Sequence, residues 1–325
     1  MEQDFRDFVL EHMPHMDRRR IGRLYTDTSD FTSIGYGDVI RLAARHYLVL
    51  RDEAERRFGI EDFKFWVKRC RCLETREPAI LKLVFHEEFT QKIGSMSIRS
   101  FRSATKEARI LELVRDDPRF MHGFSARDEA GNLVRVLEVI RGKRFDEVVD
   151  SLPGDHAFYF HNNLRPVLNT FIDACEAIGF LHEHGEQHGD VRRDHLWMET
   201  STGRGRWLDF DYAYETRANP FGLDLYGLGN SLLFLVGKRI YTPHAFEGME
   251  GSDTLQPGDF SPVIRNRLVN LRRLFPYIPE PLNNVLLHFS EGAETFYDSV
   301  DEMLCELRPC LDLLPNPQEP KEEVP

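Results

Sequence analysis

The sequence predicts an α+β fold: a β-rich first part carrying one helix, ending near Gly142, precedes a larger helical part. Three observations predict it. Short apolar or alternating segments separated by turn residues fill positions 39–85 and return at 120–140. One amphipathic stretch, 163–184, repeats Leu164, Val167, Leu168, Phe171, Ile172, Cys175, Ile178 and Leu181 at helical spacing. Between 182 and 229, acids and glycines interrupt short apolar pieces, and the pattern after 281 is helical again.

Composition narrows the function. The chain has 325 residues, 41% of them hydrophobic, enough for one large domain or two lobes. A formal charge of −12 argues against a general nucleic-acid binder. The longest apolar run, Leu232 to Val236, is far too short for a membrane span. Residues 1–17 are polar and acidic, unlike a secretory leader. Five cysteines form no zinc pattern, which fits reduced thiols in a cytoplasmic protein. The tail 315–325, rich in Pro and Glu, reads as disordered.

Taken in order, residues 3–13 suit a short helix with Phe5, Phe8 and Val9 on one face, and 27–38 reads as a polar linker. Strands are expected at 39–42 and 46–50, joined through Glu53-Ala-Glu-Arg-Arg-Phe-Gly59 to a long strand over 63–72, and then at 79–85. Lys82 is the one charge in the last of these. Burying an ammonium there costs several kcal/mol, on the order of what buried ions pay, unless it is paired; the alternative is a lysine that snorkels to water. Lys68, set among Lys64, Arg69 and Arg71, reads as part of an exposed edge. A helix over 103–115 stops before Pro118. On it Glu107 shares a face with Ile110, Leu111 and Val114, whereas Glu112 faces water with Arg115. Residues 120–127 and 133–140 read as a hairpin. Late helices are expected at 281–289 and 295–307, the last with Thr295 and Asp298 as a capping box.

The densest chemistry lies between 182 and 215. His188-Gly-Asp190 is followed by Val-Arg-Arg-Asp-His195, an apolar strand at Trp207-Leu208, and Asp209-Phe-Asp211. Two acids, a turn and that spacing resemble the catalytic core of the protein kinase superfamily, in an atypical, bacterial-type His-Gly-Asp form. Ala79-Ile-Leu-Lys82 resembles its lysine strand, 138–142 its hinge, and 221–229 the helix start whose aspartate, here Asp224, holds the catalytic loop. The resemblance covers roughly 45–310.

That resemblance implies a two-lobed protein kinase-like fold: an N-terminal extension over 1–44, a small β-rich N-lobe with one helix over 45–142, and a larger helical C-lobe over 143–314. It implies ATP-dependent transfer of a phosphoryl group to a hydroxyl, with ATP and magnesium in the cleft between the lobes. Asp190 would be the catalytic acid-base and Arg192 would steady the phosphate. Lys82 would anchor phosphates, oriented by Glu107. Backbone groups at Glu138 and Ile140 would meet adenine. Asp209 would be the main metal ligand, with Asp211 beside it. The glycine loop is reduced to Gly59, leaving Arg56 or Arg57 to hold phosphates. His195 stands where kinases carry a magnesium-binding asparagine. It is either a metal ligand that favours manganese or a packing and hydrogen-bonding residue. Arg192 favours a protein acceptor; the segment of only fifteen residues from Asp209 to Asp224, without Ala-Pro-Glu, favours a small-molecule acceptor of the aminoglycoside or choline kinase kind. A pseudokinase acting through partners is the further alternative.

Overall fold

The computed structural model describes residues 2–316 except 58–59, 94–95, 217–218 and 294, and leaves out the side chains of 2–4, 56–57, 60, 91–93 and 96. The elements in chain order are α1 (Glu2–His12), β1 (Leu24–Tyr25), β2 (Val39–Leu42), β3 (Arg45–Arg57), β4 (Ile60–Cys72), β5 (Pro78–Lys82), β6 (Glu88–Ile93), β7 (Met96–Arg102), α2 (Ala104–Leu113), β8 (Gly123–Arg127), β9 (Leu133–Leu137) and β10 (Gly142–Arg144). They continue with α3 (Phe145–Asp150), α4 (His156–Asn162), α5 (Leu164–Glu183), β11 (Leu196–Glu199), β12 (Gly205–Trp207), β13 (Tyr212–Glu215), α6 (Gly222–Gly237), α7 (Pro243–Phe246), α8 (Glu280–Leu287) and α9 (Val300–Cys310). The chain divides into two compact units, residues 1–88 with 101–140 and residues 89–100 with 141–325.

Among the described residues, unit 1 is built on a seven-stranded sheet ordered β1-β2-β3-β4-β5-β9-β8. Alternating apolar side chains, Ile40, Leu42, Tyr47, Val49, Cys70, Cys72, Leu81 and Val136 among them, form one buried layer. The long connection expected between the second strand and the next is itself strand. Arg56 pairs with Glu61 and Arg57 with Ile60, and 58–59 are not among the described residues. Gly59 therefore lies outside the described residues, as do the side chains of Arg56 and Arg57 and the tail from 317 on.

The polar stretch 27–38 is no loose linker. Ile34 sits in the apolar layer, the Gly37 N–H donates to the Val49 carbonyl at 2.9 Å, and Thr28 donates both its N–H and its hydroxyl to Asp128 at 2.7 Å. Helix α2 starts where the Ser103 hydroxyl accepts the Lys106 N–H, satisfying one of the free donors of a helix start. It packs on β8 and β9.

In unit 2, α5 and α6 form the interior. Twelve of the sixteen α6 residues are buried, among them the unbroken run Ser231 to Gly237, as expected of a predominantly apolar helix in an interior. Gly227 lets α6 approach the loop before it: a Cβ there would stand 2.3 Å from the Val191 carbonyl oxygen. Unit 2 also carries a three-stranded sheet ordered β13-β7-β6 and another ordered β10-β11-β12. The final helix begins five residues later than the sequence suggests. Its cap is Ser299, whose hydroxyl accepts the Glu302 N–H, while the Glu302 carboxylate accepts from the Asp298 N–H at 2.7 Å. Glu302 thus ties down the residue before the cap, and Thr295 is not where the helix starts. No helix among the described residues is long and apolar enough to cross a membrane.

Candidate functional site

Unit 1 places Lys82 at the end of β5 and Glu107 in α2, both buried. Lys82 Nζ donates to Glu107 Oε1 at 2.9 Å. The second oxygen, Oε2, accepts from Arg135 Nε, also at 2.9 Å. Arg135 is a residue the sequence reading passed over. Its signal was the one that exposed Lys82: a single charge inside an apolar strand, Leu133-Val-Arg-Val-Leu137.

Lys68 requires a correction. It is fully buried, not part of an exposed edge, and its Nζ donates to the Ile34 carbonyl at 2.5 Å and to Asp52 Oδ1 at 2.7 Å. The cause is the two-residue period of β4, which sets Lys68 on the same face as Cys70 and Cys72. Glu138 and Ile140 follow β9 as irregular chain. The Glu138 N–H donates to the His122 carbonyl at 3.1 Å, and the Glu138 carboxylate accepts the His122 N–H at 2.6 Å.

Unit 2 holds the acids. Asp224, in the first turn of α6 and fully buried, accepts the His188 N–H at 2.7 Å and the Gly189 N–H at 2.9 Å. His182 Nε2 meets the same carboxylate at 3.1 Å, with its ring stacked on Phe221. Gln187 adds a second tie, donating through Nε2 to the Pro220 carbonyl at 2.7 Å. The loop must turn sharply at Gly189, whose φ is +86°; any side chain there would be strained. Asp190 is thus presented by a backbone held from α6.

His195 is almost fully buried and lies between the two acids. Its Nδ1 is 2.9 Å from the Asp190 carbonyl oxygen and 3.5 Å from Asp190 Oδ2, and its Nε2 is 3.6 Å from Asp209 Oδ2. A carbonyl oxygen only accepts, so Nδ1 carries a proton, and whenever the ring is neutral the lone pair is on Nε2. Arg192 Nη2, which can only donate, approaches that Nε2 at 3.1 Å, in keeping with this tautomer. The fork of Arg192 is otherwise turned on Asp194, with Nε to Oδ1 at 3.0 Å and Nη2 to Oδ2 at 2.7 Å; Nη1 lies 3.7 Å from Asp190 Oδ2.

Burial raises the Asp190 carboxyl above the ordinary aspartate range, with Asp209 and Asp194 adding to the rise and His195 and Arg192 opposing it. Burial also works on Asp194, but the Arg192 hydrogen bonds and the nearby positive charges outweigh it and hold that carboxyl at about 2.

Asp209 has φ +67°. A non-glycine residue in that region is held there by its surroundings. Trp207 anchors one side, its indole N–H donating to the Ala174 carbonyl of α5 at 2.8 Å. Phe210 anchors the other, buried with its ring edge-on to His188. The Asp209 side chain remains 24% exposed, whereas Asp211 is only 1% exposed.

His195 Nε2 and Asp209 Oδ2, 3.6 Å apart, are the atoms that would share a divalent cation. The oxygen suits magnesium, and the nitrogen shifts preference towards manganese. An Nε2 that already accepts from Arg192 must be released by that arginine before it can ligate.

No family model matches this chain, and no curated protein does. Among solved structures, the autoinhibited serine kinase domain of the giant muscle protein titin is similar at a TM-score of 0.50. The two are 17% identical, over 82% of this chain and 80% of that one. The fold is the two-lobed protein kinase-like one, with a curled β-sheet N-terminal region and a helical C-terminal part.

Proposed function

We propose that the protein is an ATP-dependent phosphotransferase, an atypical His-Gly-Asp protein kinase-like enzyme that moves the γ-phosphate of ATP to a hydroxyl. The observation that carries this reading is the convergence of Asp190 and Asp209 on one imidazole, at 3.5 Å and 3.6 Å. Phosphoryl transfer needs positioning and charge neutralisation rather than covalent chemistry, and two acids with separate surroundings divide that work.

Asp190 is the group that orients the acceptor hydroxyl and takes its proton; its raised proton affinity suits a base better than that of an ordinary aspartate does. Asp209, the more exposed acid, would hold magnesium, which when bound neutralises the triphosphate. His195 and the buried Asp211 are the further candidates for that ion. Arg192, kept in place by Asp194, presents Nη1 towards Asp190 and would steady the transferred phosphate. In unit 1, Lys82 would grip phosphates, Arg56 and Arg57 would supplement it, and the backbone at Glu138 and Ile140 would meet adenine.

The acceptor favoured here is a protein serine or threonine hydroxyl, because Arg192 stands where such kinases carry a lysine. A second reading, a small-molecule hydroxyl, is favoured by the segment after Asp211. Its residues 212–215 are strand β13, paired in a sheet, which leaves little chain for a peptide-docking platform.

A thermal melt with and without ATP and magnesium tests the binding half. A ligand that binds only the native state raises stability by about 2.7 kcal/mol at a hundred times its Kd. Absence of any rise contradicts the reading. A rise without transfer from labelled ATP to a generic acceptor protein or to small hydroxyl compounds leaves a nucleotide-binding pseudokinase.

A further inference from the structure

Lys82 of β5 and Arg135 of β9 are register partners, so two cations stand directly across a strand pair. Like charges in that position repel. Glu107 resolves the conflict. Its carboxylate, with no solvent exposure at all, places one oxygen on each cation at 2.9 Å.

Arg135 is held at several points. Arg135 is 3% exposed and is tied to the sheet through both terminal nitrogens. Nη1 donates to the Leu133 carbonyl at 2.8 Å and Nη2 to the Leu83 carbonyl at 3.3 Å. A planar guanidinium bound in this way is a fixed fork, whereas a lysine is a point charge on a flexible stem. Its Nε is therefore a preset anchor for Glu107, and through Glu107 for the whole of α2, which packs on β8 and β9.

We infer that Arg135 is a positioning residue. It fixes Glu107, and Glu107 then holds Lys82 in place before any nucleotide arrives, so α2 is not a part that the ligand has to order. The half concerning Lys82 and ATP rests on the phosphotransferase reading; the fixing of α2 stands on the geometry alone.

Hydrogen exchange of the α2 amides separates the two halves. It is measured on the full chain as wild type, Arg135→Gln and Arg135→Lys, with and without ATP and magnesium, beside an ATP titration. The wild type should show the same α2 protection with and without nucleotide. Arg135→Gln should exchange α2 amides roughly tenfold faster, the scale of one lost hydrogen bond to a charged group, with β3 and β4 unchanged. Saturating ATP should restore part of that protection, and the apparent Kd for ATP should rise about tenfold by the same scale. Arg135→Lys, with the same charge but no fork, should show the same local loosening to a smaller extent. Unchanged α2 exchange in both variants overturns the inference, as does a rise spread evenly over unit 1. Local loosening in a protein that never binds ATP upholds the fixing of α2 and sinks the phosphotransferase reading. ATP binding with α2 unchanged does the reverse.

Discussion

Lys68 and Lys82 sit on neighbouring strands, and their replacement by methionine should separate stability from nucleotide binding. Lys68→Met removes an ammonium that serves the Ile34 carbonyl and Asp52. The buried carbonyl loses its charged donor, a cost of about 1–3 kcal/mol. Asp52, with 22% of its side chain exposed, can turn to water, and the loss of a buried charge returns part of the cost. The net is about 2 kcal/mol, or a fall of roughly 4–8 °C in the melting of unit 1, by the usual scaling for domains of this size. Lys82→Met leaves Glu107 still paired with Arg135, so its stability cost should be smaller, about 1 kcal/mol. Its ATP affinity should fall at least about tenfold, the equivalent of one charge-assisted contact. Thermal melts and ATP titrations on both variants supply the comparison. If Lys68→Met loses ATP affinity at an unchanged melting temperature, while Lys82→Met binds normally, the strand assignment behind the candidate site is wrong.

Three further expectations follow from unit 2. Asp224→Asn replaces an acceptor of two backbone N–H groups by a side chain with one acceptor and a donor; it should cost about 2–4 kcal/mol and cut transfer at least about tenfold as the Asp190 loop loosens. His195→Ala should reduce turnover sharply with magnesium or manganese, and His195→Asn should recover it with magnesium; wild-type rates in His195→Ala would remove the histidine from the metal site. His156 is held by the Tyr277 hydroxyl at 2.7 Å and the Val236 carbonyl at 3.0 Å. Burial lowers its pKa from 6.5 to about 4, with Arg239 and Lys238 pushing the same way and Asp155 opposing. The unfolded chain therefore takes up the proton first, and stability is lost as pH falls from 6.5 towards 4, by up to about 3 kcal/mol. Melts of wild type and His156→Gln across that window check it, and an equally steep fall in the variant would contradict it.

The helical part of the fold was largely legible in the sequence. The α5 periodicity is long and unbroken, and α2 carries its cap, its apolar face and its outward Glu112, which pairs with Arg115. Strands whose partners lie far away were harder. The hairpin β6–β7 is polar and alternates weakly, and its place depends on β13, more than a hundred residues on. The extension of β3 and β4 past the expected turn was hidden because its ladder pairs charged residues, such as Glu53 with Lys64, which read locally as a solvated link. Lys68 was misread because its neighbours in sequence are charged, although its neighbours in space are set by alternation. At the site, residue types and spacing named the acids, but not the shared imidazole tautomer or the Arg192–Asp194 fork. Arg135 needed the register between β5 and β9 to become visible.

The measurement closest to the central claim compares wild type with Asp190→Asn, following ATP affinity and labelled phosphate transfer side by side. The account predicts that the variant binds ATP and magnesium within about twofold of wild type, because no Asp190 contact is assigned to the nucleotide, and that transfer falls by at least about a hundredfold, the usual weight of a positioned acid-base group. Transfer at the wild-type rate by Asp190→Asn, or loss of binding together with transfer, would contradict it.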